Sequence, residues 1–459
     1  MKKLSRRTLP LYALAGFGPN LLNTVITIYL VDALQTAGFV ENIESWTYAQ
    51  KTIIAVFIFS ILKFIAQAMD GIIDVPFAAL TDRIKSRWGK RRPAMLMGLV
   101  PMVASFVLFC FPPSLAENSV GNSIYFGLLL LVFYAAYTLA MVTYYGTYSE
   151  VTKNEDDRFF LSNWKAFIDT VQYALAYALI PLVVGFGFNV RILALAMSPL
   201  FLTMILAFIL LKEPSTLPED VAKLPPEERE VAEKELPIME SIRLTTKNKN
   251  FVAWLVLLAT FFFGLQMFLS GQNVLASGPM GLVGWQIAVI NSAAFGPVPL
   301  TLWLYRKVLK KKGFRFGFQT ALISFALSML TMSVAYVEWI PVQIVRLAIA
   351  ATGATIGSYG IGAFLSAPYL VPAQMAAEDA EKTGKSNPAM YFAIQGLFTA
   401  VVGAVSTGLV WPNLRNVSLN GNELFGAHLM PYIAILACVV SFIVSLKLPK
   451  SYDQLGKEQ

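Results

Sequence analysis

Charged residues are scarce in this sequence: Asp, Glu, Lys and Arg make up 14% of its 459 residues. A soluble globular domain carries charge on about a quarter of its residues, so this composition excludes an ordinary cytosolic protein. Histidine occurs once, as His428, and the two cysteines, Cys110 and Cys438, lie in separate apolar runs. A histidine cluster is therefore excluded, and neither a disulfide framework nor a cysteine-based metal site is supported. With no Gly-rich phosphate loop and no nucleophile–base set, we predict a protein that is not an enzyme and has no cofactor.

Apolar residues dominate instead. They form 56% of the chain, and the mean hydropathy is +0.60. A bilayer-spanning helix needs about 20 mostly apolar residues, and a helix satisfies its own backbone in lipid. We predict an all-α membrane protein with twelve transmembrane helices, at 11–34, 52–80, 94–113, 122–147, 163–186, 192–211, 250–272, 284–305, 317–336, 341–372, 388–410 and 428–447.

The net charge of +8 is concentrated between apolar runs, as in cytoplasmic loops of membrane proteins, so no nucleic-acid partner is expected. Basic clusters follow predicted helices 2 and 8, whereas the predicted loops on the opposite side of the membrane are nearly uncharged. Both termini are therefore predicted to be cytoplasmic. The second cluster, in the predicted turn after helix 8, is Arg306, Lys307, Lys310, Lys311, Lys312 and Arg315.

The two basic clusters occupy equivalent places in two six-helix halves, a repeat that is typical of the major facilitator fold. A polar segment rich in Pro and Glu separates the halves. We predict an N-terminal six-helix bundle at 1–211, a cytoplasmic linker with a short amphipathic helix at 212–249, and a C-terminal six-helix bundle at 250–459.

Predicted helix 2 carries Lys63, Gln67, Asp70 and Asp74 within about 60° of one another, at about 100° per residue. Asp70 lies about 18 Å inside Asp82 at about 1.5 Å per residue, near the middle of a hydrocarbon core of about 30 Å. Two carboxylates one turn apart repel each other, so a metal ion, a proton or a basic side chain must relieve the repulsion. Oxygen ligands suit a hard cation such as Na⁺. Buried polar contacts between helices are the alternative. Lys63 is a built-in cation, a side chain that reaches the interface, or part of a separate hydrogen-bond network.

Residues 70–93 contain the Asp-x₃-Asp pair, a following Asp-Arg, and a Ser-Arg-Trp-Gly-basic-basic-basic-Pro turn. This pattern resembles the glycoside–pentoside–hexuronide:cation symporter family of the major facilitator superfamily, and departs from it at Val75 and Ala78. The resemblance covers nearly the whole chain. It implies cation-coupled symport of a sugar, with Na⁺, Li⁺ or H⁺ bound at Asp70 and Asp74, near Thr138.

The charged residues of the turn after helix 2 have two interpretations. They can pair across the halves and lock one access state, or they can serve topology alone. The predicted gating residues are Asp82, Arg83, Arg87, Arg91 and Arg92.

The substrate is less constrained by the resemblance. Three charged cavity positions of melibiose-type members are Asn20, Met141 and Ala400 here. A glycoside-type solute is expected; a lysophospholipid or other amphiphile, a cation-independent facilitator and a non-transporting receptor are the alternatives. Gln266, Gln272 and Asn273 receive no assignment. The predicted substrate-binding residues are Asn20, Tyr137, Tyr144, Lys165, Asp169 and Gln395. We expect a monomer in a bacterial cytoplasmic membrane, with the bilayer and a small-molecule substrate as partners.

Overall fold

The computed structural model describes residues 3–82, 84–153, 155–221, 249–383, 388–448 and 452. The regular structure in these ranges is helical, and the only strand-like feature there is an isolated bridge between Leu419 and Asn422. Within the same ranges, twelve helices are long and apolar enough to cross a membrane. The predicted all-α fold class with twelve spans is confirmed, and the cytoplasmic orientation of the termini stays a prediction.

The first six spans are α1 to α6. They are α1 Leu9–Leu30, α2 Val56–Asp82, α3 Arg91–Phe109, α4 Val120–Gly146, α5 Glu155–Ala174 with its continuations Leu175–Leu179 and Ile180–Gly185, and α6 Val190–Leu210. The next six are α7 to α12. They are α7 Lys249–Ser277, α8 Gly284–Lys312, α9 Phe314–Val334, α10 Gln343–Thr383, α11 Pro388–Gly403 with its continuations Ala404–Val410 and Trp411–Leu414, and α12 Phe425–Leu446.

Two helices, α8 and α10, extend furthest past their predicted ends. The prediction of a turn at the basic cluster after helix 8 is wrong, because most of this cluster is helical. α8 continues through Lys312 and ends at Gly313, whose φ is +82°. Lys and Arg are good helix formers and are stabilising near a helix C-terminus, and glycine supplies the left-handed conformation that ends the helix. α10 runs 41 residues, to Thr383, because a helix does not stop where the bilayer does.

Close helix packing uses small residues in α3 and α4. A β-carbon on Gly98 would lie 2.6 Å from the carbonyl oxygen of Ala136, and one on Gly127 would lie 2.6 Å from the β-carbon of Leu62. Small residues let membrane helices approach closely, where van der Waals packing holds them together. α4 is therefore held tightly against both α2 and α3, which fixes the polar side chains that it carries.

The described residues form two compact units. The first consists of 3–35, 47–176 and 188–221, and the second of 36–46, 177–187, 249–448 and 452. The predicted domain boundaries stay predictions. Residues 222–248 of the predicted linker lie outside the described ranges, and its described part carries one short helix, Pro218–Val221.

Candidate functional site

The first unit brings together two of the residues predicted to bind a cation. The hydroxyl of Thr138, on α4, donates a short hydrogen bond to a carboxylate oxygen of Asp70, on α2. Thr138 is buried and Asp70 is half-buried. Both residues offer oxygen ligands, which are what a hard cation prefers. The side chain of Asp74 lies outside the described part of α2, so its place beside Asp70 stays a prediction.

Other polar side chains lie one or two turns from this pair, on α4 and on α2. The hydroxyl of Tyr134, one turn before Thr138 on α4, is 3.3 Å from the hydroxyl of Thr27 and also bonds to Gln67. Lys63, two turns before Asp70, is 1% exposed. Its side chain does not extend to the surface, and its role as a built-in cation stays a prediction.

Asn20 is the centre of a second polar group in this unit. Its amide oxygen accepts a hydrogen bond of 2.9 Å from Tyr137, and its amide nitrogen donates one of 3.1 Å to the hydroxyl of Tyr145. Gln172, on α5, donates to the backbone oxygen of Asn20 and to the hydroxyl of Thr24, both at 3.2 Å. Gln172 was not predicted as a member of this group, and Tyr145 was not among the predicted substrate-binding residues. Helical spacing could have suggested Gln172, which follows Asp169 by three residues and so shares its face.

Lys165 and Asp169 form an ion pair one turn apart on α5. Their side chains are 14% and 33% exposed, so neither is sealed from solvent. The ammonium of Lys165 also lies 5.3 Å from the ring centroid of Tyr145. Because Tyr145 bonds to Asn20, one tyrosine contacts both the ion pair and the amide group.

Two of the predicted substrate residues contact other parts of the protein. Tyr144 is fully buried, and its hydroxyl donates to the backbone oxygen of Tyr12 at 2.6 Å. Gln395, in the second unit, accepts from the indole nitrogen of Trp254 at 2.6 Å and donates to the backbone oxygen of Pro368 at 2.8 Å. Both of its amide atoms therefore already have partners.

The turn between α2 and α3 contacts the segment that follows α6. A carboxylate oxygen of Glu213 accepts from the backbone nitrogens of Arg91 and Arg92, at 2.9 and 3.3 Å. A carboxylate there satisfies the first free N–H groups of α3 and suits its positive end. The guanidinium of Arg92 lies 4.3 Å from the ring centroid of Phe208. Glu213 was not among the predicted site residues.

The gating role of this turn stays a prediction. Arg87 is exposed and lies 5.4 Å from the ring centroid of its neighbour Trp88. Arg83 and the side chain of Asp82 lie outside the described residues.

Twelve spans and a polar site within them narrow the choice of family, and a comparison with protein families decides it. Residues 11–448 match the family of MFS/sugar transport proteins. The chain belongs to this family. The resemblance to glycoside–cation symporters is confirmed. The predictions of a transport protein rather than an enzyme, and of a multi-pass protein of the cell membrane, are confirmed as well.

Curated relatives of this MFS/sugar transport protein match over short stretches. The inner membrane symporter YicJ of Escherichia coli is 32% identical over 120 residues, which is 26% of this chain and 26% of YicJ. The lactose permease of Lactobacillus helveticus is 28% identical over 135 residues, which is 28% of this chain and 21% of the permease. These matches span about a quarter of the relatives' length.

Solved structures match over nearly the full length. The nucleoside transporter NupG has a TM-score of 0.64 at 11% identity, with 96% of this chain and 98% of NupG covered. The D-xylose–proton symporter has a TM-score of 0.62 at 15% identity, with 98% and 99% covered. At such low identity these similarities show the fold of this MFS/sugar transport protein and nothing further.

Proposed function

We propose that this MFS/sugar transport protein carries a sugar or glycoside across the cell membrane by cation-coupled symport. The observation that carries the proposal is the contact between Asp70 and Thr138, since it places an ionisable oxygen ligand inside membrane-spanning helices. Ionisable groups at that depth are costly and usually belong to ion or substrate pathways.

The coupling cation would bind at Asp70, with Thr138 as a second oxygen ligand and Na⁺, Li⁺ or H⁺ as the candidates. A cation there offsets the cost of an unneutralised carboxylate in a medium of low dielectric constant. In the cation-bound form Asp70 would hold α2 to α4 through Thr138. Asp74 is the expected further ligand.

The sugar would bind at the group around Asn20. Tyr137 directly precedes Thr138 on α4 and bonds to Asn20, so an ordered α4 also orders the sugar site. The side chains of Lys165, Asp169 and Gln172 add charged and neutral partners for hydroxyl groups. Because one helix carries contacts to both sites, cation and sugar would each strengthen the binding of the other, as reciprocal coupling requires.

An amphiphile carrier is the second candidate function, and a groove in the second unit favours it. The groove has a volume of about 410 Å³ and lies between α7, α11 and α12, with Phe263, Val405 and Leu436 in its lining. An apolar groove of this size suits an acyl chain. Thr260 is its one polar lining residue, so the groove offers little to the hydroxyl groups of a sugar.

A thermal-shift screen of the purified protein separates the two candidates. Glycosides, uronides and lysolipids would each be tested in Na⁺ and in choline, and at two pH values to detect H⁺ coupling. A bound ligand stabilises the folded state by about 2.7 kcal/mol at 100 times its Kd. We expect a sugar whose stabilisation grows with the cation. Stabilisation by lysolipid alone, or by a sugar with no cation effect, would overturn the proposal.

A further inference from the structure

The second unit contains a buried polar group that the proposed function does not use. Gln272, Asn273 and Ser277 lie in the C-terminal turns of α7, and Asn291 lies on α8. Their exposed fractions are 2%, 1%, 0% and 2%. Asn273 and Ser277 are four residues apart and so share a helix face.

Most polar atoms of this group have no hydrogen-bond partner in the part of the chain that the structure describes. The unpaired atoms are both amide atoms of Gln272, the amide nitrogen of Asn273 and the hydroxyl of Ser277. The amide oxygen of Asn273 does have a partner: it accepts from the amide nitrogen of Asn291 at 3.1 Å. That nitrogen also donates to the backbone oxygen of Tyr177 at 2.5 Å.

Leaving these atoms unpaired is unfavourable. Each buried donor or acceptor without a partner costs about 1–3 kcal/mol, and native proteins keep few of them unless a water, an ion or a ligand supplies the missing bond. Four such atoms within six residues of one helix therefore indicate a bound polar partner that supplies the missing hydrogen bonds.

The chemistry of the free atoms selects that partner. A metal cation would use the amide oxygen of Gln272 but not the two free amide nitrogens. An anion would use the nitrogens but not the oxygen. A hydroxyl group both donates and accepts, so it can satisfy a carboxamide and a serine hydroxyl together. Uncharged partners of this kind match the hydroxyl groups of a sugar or another polyol.

The segment 36–46 rests on the same end of α7. A β-carbon on Gly278, the residue after α7, would lie 1.9 Å from the backbone oxygen of Gly38, and one on Gly38 would lie 2.4 Å from Val274. Arg415, with no exposed surface, donates from its Nε to the backbone oxygen of Ala37 at 2.9 Å. The segment therefore covers this end of α7, beside the polar group.

We propose that Gln272, Asn273 and Ser277 on α7, together with Asn291 on α8, form a binding site for sugar hydroxyl groups within the second unit. This inference rests on the proposed function, and it names the place where the second unit holds the solute. All four residues lie on α7 and α8, and segment 36–46 covers the end of α7 beside them.

Near-isosteric variants test the site. Gln272→Met and Asn273→Leu remove hydrogen-bonding atoms and keep the approximate side-chain volume. Gln319→Met is the matched control, because the amide nitrogen of Gln319 donates to the hydroxyl of Ser445 at 3.0 Å. Each full-length variant would be measured for its melting temperature without ligand and for the binding of lactose, D-xylose and methyl β-D-glucuronide.

For Gln272→Met and Asn273→Leu we expect a Kd at least tenfold higher for the sugars that bind the wild type. For Gln272→Met we also expect an unchanged or higher melting temperature without ligand, because removing an unsatisfied buried group is neutral or stabilising, whereas Asn273→Leu also removes the acceptor of the hydrogen bond from Asn291. For Gln319→Met we expect the reverse: a lower melting temperature and an unchanged Kd.

Three results would overturn the inference. A lower melting temperature in Gln272→Met would mean that its amide has structural partners. Unchanged sugar binding in both variants would mean that the amides do not contact the solute, and the proposed function would still stand. If the wild type binds none of the three sugars in either Na⁺ or choline, the proposed function fails and this inference fails with it.

Discussion

Replacing Asp70 by asparagine tests the cation site with the smallest structural change. Asn has the same shape as Asp, and its amide oxygen can still accept the hydrogen bond that Thr138 donates to Asp70. The substitution removes the negative charge alone. Asp70→Asn should therefore preserve the fold while abolishing the attraction for a cation.

The expected loss of cation affinity follows from the charge removed. Two unit charges about 4 Å apart interact by about 4 kcal/mol at an effective dielectric constant of about 20. At about 1.4 kcal/mol per factor of ten, this is close to a thousandfold weaker cation binding. The sugar should lose only the coupling energy, about 1–3 kcal/mol or a factor of about 5–150. The unliganded variant should melt at a higher temperature, because an unneutralised carboxylate is no longer buried.

Isothermal titration and thermal unfolding, with and without Na⁺, measure these three quantities. Thr138→Val is the matched control, since it keeps the charge of Asp70 and removes one hydroxyl ligand. We expect it to weaken cation binding by about 1.5–3 kcal/mol. The reasoning is refuted if Asp70→Asn binds the cation as the wild type does, or if its sugar affinity still rises with Na⁺.

Three further predictions concern the first unit. Lys165→Met should raise the sugar Kd about tenfold or more, because it leaves the Asp169 carboxylate without its ion-pair partner. The double variant with Asp169→Asn should recover part of the affinity in the same titration. An unchanged Kd in Lys165→Met would exclude the pair from the site. Gly98→Val should lower the melting temperature, since its β-carbon has no room against α4 and overpacking costs about 1–3 kcal/mol. Gly146→Val, where a β-carbon meets nothing within 4 Å, is its control, and equal melting temperatures would contradict the packing. Glu213→Gln should destabilise the protein by about 0.3–1 kcal/mol in thermal unfolding at low salt, with the difference shrinking at high salt; a difference independent of salt would rule out a charge effect.

The twelve spans could be predicted from hydropathy because lipid leaves the backbone few alternatives to a helix. Their ends could not, since the ends of α8 and α10 depend on helix propensity and on Gly313 rather than on contact with the bilayer. Asp70 and Thr138 could be predicted as site residues from a motif and a family resemblance.

Contacts between distant segments were beyond sequence reasoning. Gln172 bonds to a residue 152 positions away, and Glu213 caps a helix that begins 122 positions before it. Tyr137 and Tyr144 share a helix face, as their spacing predicts, and both bond to α1. Spacing does not tell which of the two meets a side chain and which meets backbone, so the role of Tyr144 could not be settled in advance.

The most direct test of the central claim is sugar uptake into proteoliposomes containing wild type or Asp70→Asn. A labelled sugar that binds the wild type would be followed under an imposed Na⁺ gradient and, separately, under an imposed pH gradient. We predict that one inward cation gradient makes the wild type accumulate the sugar above its external concentration, and that Asp70→Asn only exchanges or equilibrates it. Accumulation by Asp70→Asn at the wild-type level, or simple equilibration by the wild type under both gradients, would contradict cation coupling at Asp70.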